Sequence, residues 1–185
     1  MKKRVFIIHG WEGHPKEKGL VWIKKELEKK GFEVHFPKMP NTDEPRIEEW
    51  VPYLSKIVKE PDENTYFIGH SIGCQTIMRY LETLENKKIG GAIFLAGWFN
   101  LVNLESEEAE KIAEPWLKTK INLQKVKSAS DNFVAIFSDN DEWVPLSDKN
   151  IFEKKLGAKI IVEHNKGHFD EISEHPYVVR ELIRM

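Results

Sequence analysis

The sequence has too few cysteines for a disulfide framework: Cys74 is the single one among 185 residues. An intrachain bridge is therefore excluded, and the usage fits a reducing compartment. Long hydrophobic runs are missing too. The apolar run that follows the basic start MKKR covers only Val5 to Ile8, too short for a signal-peptide core. No stretch of about 18 apolar residues occurs anywhere, so no membrane span is expected. The cytoplasm is the expected location. Charge of one sign is lacking as well: 28 Lys and Arg against 30 Asp and Glu leave a formal net charge of −2. A nucleic-acid binder would carry a basic excess, so a nucleic-acid partner is not expected. Glutamine is scarce (Gln75 and Gln124) while lysine and glutamate abound, a bias compatible with a heat-adapted source and equally with codon usage. No Gly-x-Gly-x-x-Gly or Walker loop and no His/Cys/Asp cluster at metal-ligand spacing is present, so neither cofactor nor metal is expected.

What is there has the make-up of an ordinary globular protein, 41% hydrophobic and 31% charged. The length fits one domain, 1–185, with one sizeable core. Short apolar runs alternate with longer amphipathic stretches, the pattern of βα units around a parallel sheet. The runs Val5–Ile8, Phe32–Phe36, Tyr66–Ile68, Ala92–Leu95, Phe133–Phe137 and Ile160–Val162 predict six strands. Most are continuously apolar, as strands buried on both faces must be.

Between them the spacing is helical. Leu20, Ile23 and Leu27 share a face, with Gly31 placed for a left-handed helix end. Trp50, Leu54 and Ile57 form a second stripe, opened by Pro45 and with Pro52 as a kink signal. A third helix should run from Ser71 or Ile72 to about Glu85. A fourth should be capped by Ser147 ahead of Ile151, Phe152 and Leu156. The last should start at Pro176 and bury Val179, Leu182 and Ile183. Residues 100–130 are the least legible: a short acidic helix candidate, a Pro-Trp break at Pro115-Trp116, then a mixed stretch. Segments beyond the carboxyl ends of parallel strands shape ligand sites, so this stretch is expected to form a short lid or pocket wall.

The strongest local signal is Gly69-His70-Ser71-Ile72-Gly73, a Gly-x-Ser-x-Gly pentapeptide between a predicted strand and a predicted helix. That is the setting of a nucleophile elbow, whose tight turn requires small flanking residues and lifts the serine hydroxyl above the sheet edge. The bland alternative is a serine that merely caps a helix. A serine hydroxyl needs an imidazole to take its proton and a carboxylate to orient that imidazole. Both follow in the order serine, acid, histidine. Asp141 lies in Asp-x-x-Val-Pro after the strand ending at Phe137, and His168 lies in Gly167-His168-Phe169 after the strand ending at Val162.

Asp141 is favoured over Asp139, which suits bonds to loop amides, and Glu142 should face solvent. Among the other histidines His164 is the near rival. His70 adjoins Ser71 too closely in the chain to act on it, His9 reads as a loop-shaping residue, and His14, His35 and His175 read as surface or structural. The oxyanion hole calls for two backbone amides, assigned to Ile72 and to Trp11 in the loop His9-Gly10-Trp11-Glu12-Gly13. Trp11 and Trp98 are candidate walls of an acyl pocket, and Cys74 reads as a packed thiol.

In His9-Gly10-Trp11, Gly69-His70-Ser71-Ile72-Gly73-Cys74, Asp141-x-x-Val144-Pro145 and Gly167-His168-Phe169 the chain resembles the compact α/β-hydrolases grouped with retinoblastoma-binding protein 9. The resemblance spans nearly the whole chain. It implies an α/β-hydrolase fold, with a mostly parallel sheet of about six strands, helices on both faces and no large cap domain. It also implies a triad of Ser71, Asp141 and His168. Members are serine hydrolases with esterase or peptidase-like activity, and some bind other proteins, for which no motif is found here. The expected function is cleavage of a small carboxylic ester through an acyl-enzyme on Ser71. The alternatives are a peptidase or amidase for small amides, and a protein-binding module with an idle triad. The expected partner is a small acyl substrate.

Overall fold

The computed structural model describes residues 2–185. Six strands form one parallel sheet: β1 (Arg4–Ile8), β2 (Glu33–His35), β3 (Thr65–His70), β4 (Gly91–Leu95), β5 (Phe133–Ser138) and β6 (Lys159–Glu163). Their spatial order is β2-β1-β3-β4-β5-β6. Each predicted run is recovered to within a residue or two at its ends. The four inner strands are buried almost throughout, whereas β6, on an edge, is half-exposed. That difference is the reason β1, β3, β4 and β5 read as unbroken apolar runs.

Alternation along each strand divides the core. Phe6, Ile8, Phe67 and Phe94 face one side, packed with Trp50, Leu54, Ile77 and Phe152. Val5, Ile7, Ile68 and Ile93 face the other, under Leu20, Ile23, Leu27, Val178 and Leu182. Helices α1 (Lys18–Lys29) and α7 (Pro176–Arg184) cover this second face. Helices α2 (Ile47–Val58), α3 (Ile72–Leu81) and α5 (Leu123–Ser128) cover the first, joined by α4 (Glu107–Lys118) and a composite segment. That segment is a 3₁₀ turn, Leu146–Asp148, then α6 (Lys149–Ile151) and a π-helical turn, Phe152–Leu156.

Several helix expectations need correction. Pro115-Trp116 does not break a helix, since α4 runs through it, just as α2 runs through Pro52. Both prolines lie on the exposed face, where the carbonyl each one frees can bond water instead. Ser147 caps nothing: Pro145 is the N-cap of the 3₁₀ turn and makes no side-chain bond. α3 ends at Leu81, short of Glu85. Pro176 is at the first turn of α7 as expected, but Ile183 is 43% exposed. The buried set is Tyr177, Val178, Glu181 and Leu182, a face rotated away from Ile183, with Val179 at its margin.

Candidate active site

The strand order reverses between β1 and β3, because β2 lies beyond β1 and β4 to β6 lie beyond β3. Ligands of open parallel sheets bind at such a point, outside the carboxyl ends of the strands. The loop after β1 carries Trp11, and the turn after β3 carries Ser71. The loops after β5 and β6 carry Asp141 and His168. All four therefore rise from the same edge of the sheet.

Ser71 has φ 52 and ψ −120, a backbone that L residues rarely adopt. Its amide donates to the Leu95 carbonyl at 2.9 Å and its carbonyl accepts from the Cys74 amide at 2.9 Å, so the turn is over-determined. Its side chain makes no capping bond to α3, which removes the helix-cap reading. The flanking glycines are sterically required. A Cβ at Gly69 would lie 2.7 Å from the Cys74 amide nitrogen, and one at Gly73 would lie 2.3 Å from the Ile8 carbonyl oxygen. Cys74 is fully buried, its thiol on the Leu95 carbonyl at 3.4 Å, and burial raises its pKa well above the ordinary thiol value.

His168 Nδ1 lies 2.9 Å from Asp141 Oδ2 and 3.1 Å from Oδ1. Both side chains are nearly shielded from solvent, 9% and 3% exposed. Asp141 Oδ1 also accepts the amides of Trp143 and Val144, each at 3.0 Å. Burial alone would raise the Asp141 carboxyl. The hydrogen bond and charge of His168 and the two amides outweigh it and hold the group below the usual carboxylate range. With Nδ1–H donated to the carboxylate, the neutral imidazole keeps its lone pair on Nε2.

The rival pair lies elsewhere. His164 contacts Asp139 but is 80% exposed, and Asp139 also accepts the Asn165 amide at 2.9 Å, the loop-binding role expected of it. Glu142 faces solvent.

Ser71, His168, Trp11 and Ile72 line one cavity of about 530 Å³. Trp98 and Trp143 add indole walls, and the Trp143 and His168 rings meet in a T-shaped contact with centroids 5.0 Å apart. Leu101, Leu104 and Ala109 close one side, so the segment that was hardest to read does supply pocket wall. Asp148 steadies this wall: its carboxylate accepts the Asn100 amide at 2.8 Å and the Asn100 side-chain amide at 2.7 Å. Sequence reading missed Asp148, which no local pattern marks.

His9 is buried between two partners that settle its tautomer. Nε2 accepts the Met39 amide at 3.0 Å, so the proton is on Nδ1, 2.8 Å from the Gly10 carbonyl. Burial lowers its pKa, and the neutral ring fixes the loop that presents Trp11. The backbone amides of Trp11 and Ile72 make no hydrogen bond to protein groups among the described residues. No group of three or more His, Cys, Asp or Glu among the described residues could hold a metal ion. No helix of the described residues is long and apolar enough to cross a membrane.

Known proteins share both the sequence and this architecture. YdeN of Bacillus subtilis (strain 168) is 31% identical over 172 residues, 92% of this chain and 88% of that protein. Serine hydrolase RBBP9 of Rattus norvegicus is 28% identical over 179 residues, 96% of this chain and 84% of that one. The crystal structure of the B. subtilis ydeN gene product matches with a TM-score of 0.89 at 28% identity, covering 99% of this chain and 98% of that one. Est1E of Butyrivibrio proteoclasticus, solved with ferulic acid, has the same fold, with a TM-score of 0.74 at 17% identity over 98% of this chain and 86% of its own. The serine hydrolase family model matches residues 5–180, and the chain belongs to that family.

Proposed function

We propose that the protein hydrolyses small carboxylic esters through an acyl-enzyme on Ser71. The observation that carries this reading is the His168–Asp141 pair at 2.9 Å, with His168 and the strained Ser71 lining one cavity. In acylation Ser71 Oγ bonds the ester carbonyl carbon while its proton passes to His168 Nε2. The tetrahedral intermediate then collapses, the bond to the leaving alcohol breaks, and His168 returns the proton to that oxygen. In deacylation water repeats the sequence and releases the acid and free Ser71.

Asp141 keeps the imidazole in the required tautomer and offsets its positive charge. The free Trp11 and Ile72 amides receive the oxyanion, each such donor contributing roughly 3 kcal/mol to the transition state. Three indoles and two leucines around the cavity favour an apolar or aromatic acyl group. No lysine or arginine lines it, while Glu12, Glu105 and Asp170 do, so an anionic substrate would meet like charge. A cytoplasmic location and a single 1–185 domain belong to the same reading.

The test is a panel of short p-nitrophenyl esters set against aminoacyl-amide substrates, with Ser71→Ala as control. Turnover of the esters is expected, falling on the order of 10⁶-fold in Ser71→Ala. Preference for the amides would replace the esterase with an amidase using the same groups. Turnover unaffected by Ser71→Ala would end the proposal.

A further inference from the structure

The loop that carries His168 holds a shape that its own backbone disfavours. Asn165, Gly167 and Phe169 all have positive φ, 53, 54 and 70, so left-handed residues alternate through it. Two of these are not glycine, and each costs energy unless tertiary contacts compensate. Before His168 such contacts are plentiful: the amides of Asn165, Lys166 and Gly167 donate to Asp139 Oδ1, Ser138 Oγ and Asn140 Oδ1, each at 2.9 Å. These bonds come from the β5 loop that also bears Asp141. They fix the loop up to residue 167; beyond it the Phe169 amide closes a turn on the Lys166 carbonyl at 3.0 Å and the buried Phe169 ring packs into the core, which leaves the His168 carbonyl oxygen to a further anchor.

That anchor reaches across from the elbow. His70 Nε2 lies 2.8 Å from the His168 carbonyl oxygen, a contact between residues 98 positions apart in the chain. A carbonyl only accepts, so Nε2 carries the proton and donates it. The two rings also pack, with centroids 5.1 Å apart and an interplanar angle of 52°, which places His168 between His70 and Trp143. On its other edge His70 sits against the loop after β1: a Cβ added to Gly10 would lie 3.1 Å from His70 Nδ1. One buried imidazole thus touches both the loop of His168 and the loop of Trp11 while its own backbone adjoins Ser71.

We infer that His70 is a positioning residue, whose Nε2–H holds the His168 peptide and whose ring sets the spacing between the His168 loop and the Gly10-Trp11 loop. The inference rests on the reading of Ser71 and His168 as nucleophile and base, and it adds the part that registers them. Nε2–H donates in either protonation state, and the surroundings favour the neutral one. Burial foremost, then the charge of His168, pushes the His70 pKa down to about 4 against the opposing pull of Asp170. Asp170 itself is half-exposed, 3.8 Å from Nε2, too far to replace the carbonyl as hydrogen-bond partner.

Two measurements test it, one of them independent of activity. Nitrogen-15 NMR of histidine-labelled wild type near neutral pH should show His70 as the neutral Nε2–H tautomer. An Nδ1–H tautomer would overturn the inference whatever the enzyme hydrolyses. The second compares His70→Leu with His70→Gln, whose side-chain amide can reach the same carbonyl, using a p-nitrophenyl ester and checking both variants for native Tm. In His70→Leu kcat is expected to fall about 10- to 100-fold, the scale of a small misplacement of a reacting group, with KM within about twofold. His70→Gln should recover most of that loss. Equal kcat in wild type and folded His70→Leu, or a folded His70→Gln no better than His70→Leu, would overturn the inference. Loss of Ser71 dependence in wild type with the expected His70 tautomer would instead strike the catalytic reading alone.

Discussion

An alanine at position 73 would bring its Cβ within 2.3 Å of the Ile8 carbonyl oxygen and 2.8 Å of the His9 carbonyl oxygen. Both are backbone atoms of β1 and the loop after it, so neither can swing aside. Alanine would gain roughly 1 kcal/mol of helix propensity over glycine at this position, but overpacking against a fixed wall costs roughly 1–3 kcal/mol. The clash wins. Gly73→Ala is expected to lower the urea midpoint with the slope unchanged, corresponding to a net loss of up to about 2 kcal/mol. An unchanged or higher midpoint would show that α3 can move off β1. The elbow residues of the proposed site stand out in the sequence because they obey such constraints. Gly69, Ser71 and Gly73 must be what they are for a tight turn, and that requirement leaves a mark in the sequence. Asp148 and His70 leave none. Their partners are backbone groups 48 and 98 positions away, and nothing in the local pattern points there.

The strands were legible as elements, and the helices only partly. A strand buried on both faces has to be apolar without interruption, and β1, β3, β4 and β5 meet that condition. Helix ends depend on weaker signals, and two kinds misled. Proline reads as a breaker, yet Pro52 and Pro115 are tolerated on solvent-facing sides of α2 and α4. Serine reads as a cap, yet Ser147 lies inside a turn begun by Pro145. α4 was obscure for a further reason: its anchors are tertiary. Trp116 donates its indole N–H to the Pro45 carbonyl at 2.8 Å. Arg79 Nη2 donates to the carbonyls of Trp116 and Thr119, both at 2.8 Å. These bonds hold the carboxyl end of α4 to the loop before α2 and to α3, while its amino end faces the cavity.

At the scale of the molecule, three buried histidines contribute to the response to acid. His9, His70 and His175 all have pKa values lowered, foremost by burial, with His70 and His175 pushed to about 4. An unfolded chain binds a proton at each near the ordinary histidine value of about 6.5. Between roughly pH 6.5 and pH 4 the unfolded state therefore binds more protons at these histidines, so their contribution to stability falls as pH drops through that window, and below it the lowered carboxyls of Asp141, Asp62 and Glu181 continue the loss. Glu17, raised by burial, acts with the opposite sign. His175 offers the cleanest probe. Its Nδ1 pairs with the Tyr177 hydroxyl at 2.8 Å, a bond that asparagine can imitate without titrating. His175→Asn should unfold more easily near neutral pH for want of the ring, yet lose less stability than wild type between about pH 6.5 and about pH 4.5. Parallel curves would remove His175 from the account. The outline of the fold and the Ser71, Asp141 and His168 segments could thus be read in advance, whereas these buried polar contacts needed the third dimension.

Labelling by a fluorophosphonate, followed by intact mass and peptide mapping, bears most directly on the idea that one imidazole joins a hydroxyl to a carboxylate here. In wild type a single adduct on Ser71 is expected, absent in Ser71→Ala, and formed more slowly by about 10²-fold or more in Asp141→Asn. An adduct on another serine, or equal labelling of wild type and Ser71→Ala, would contradict it.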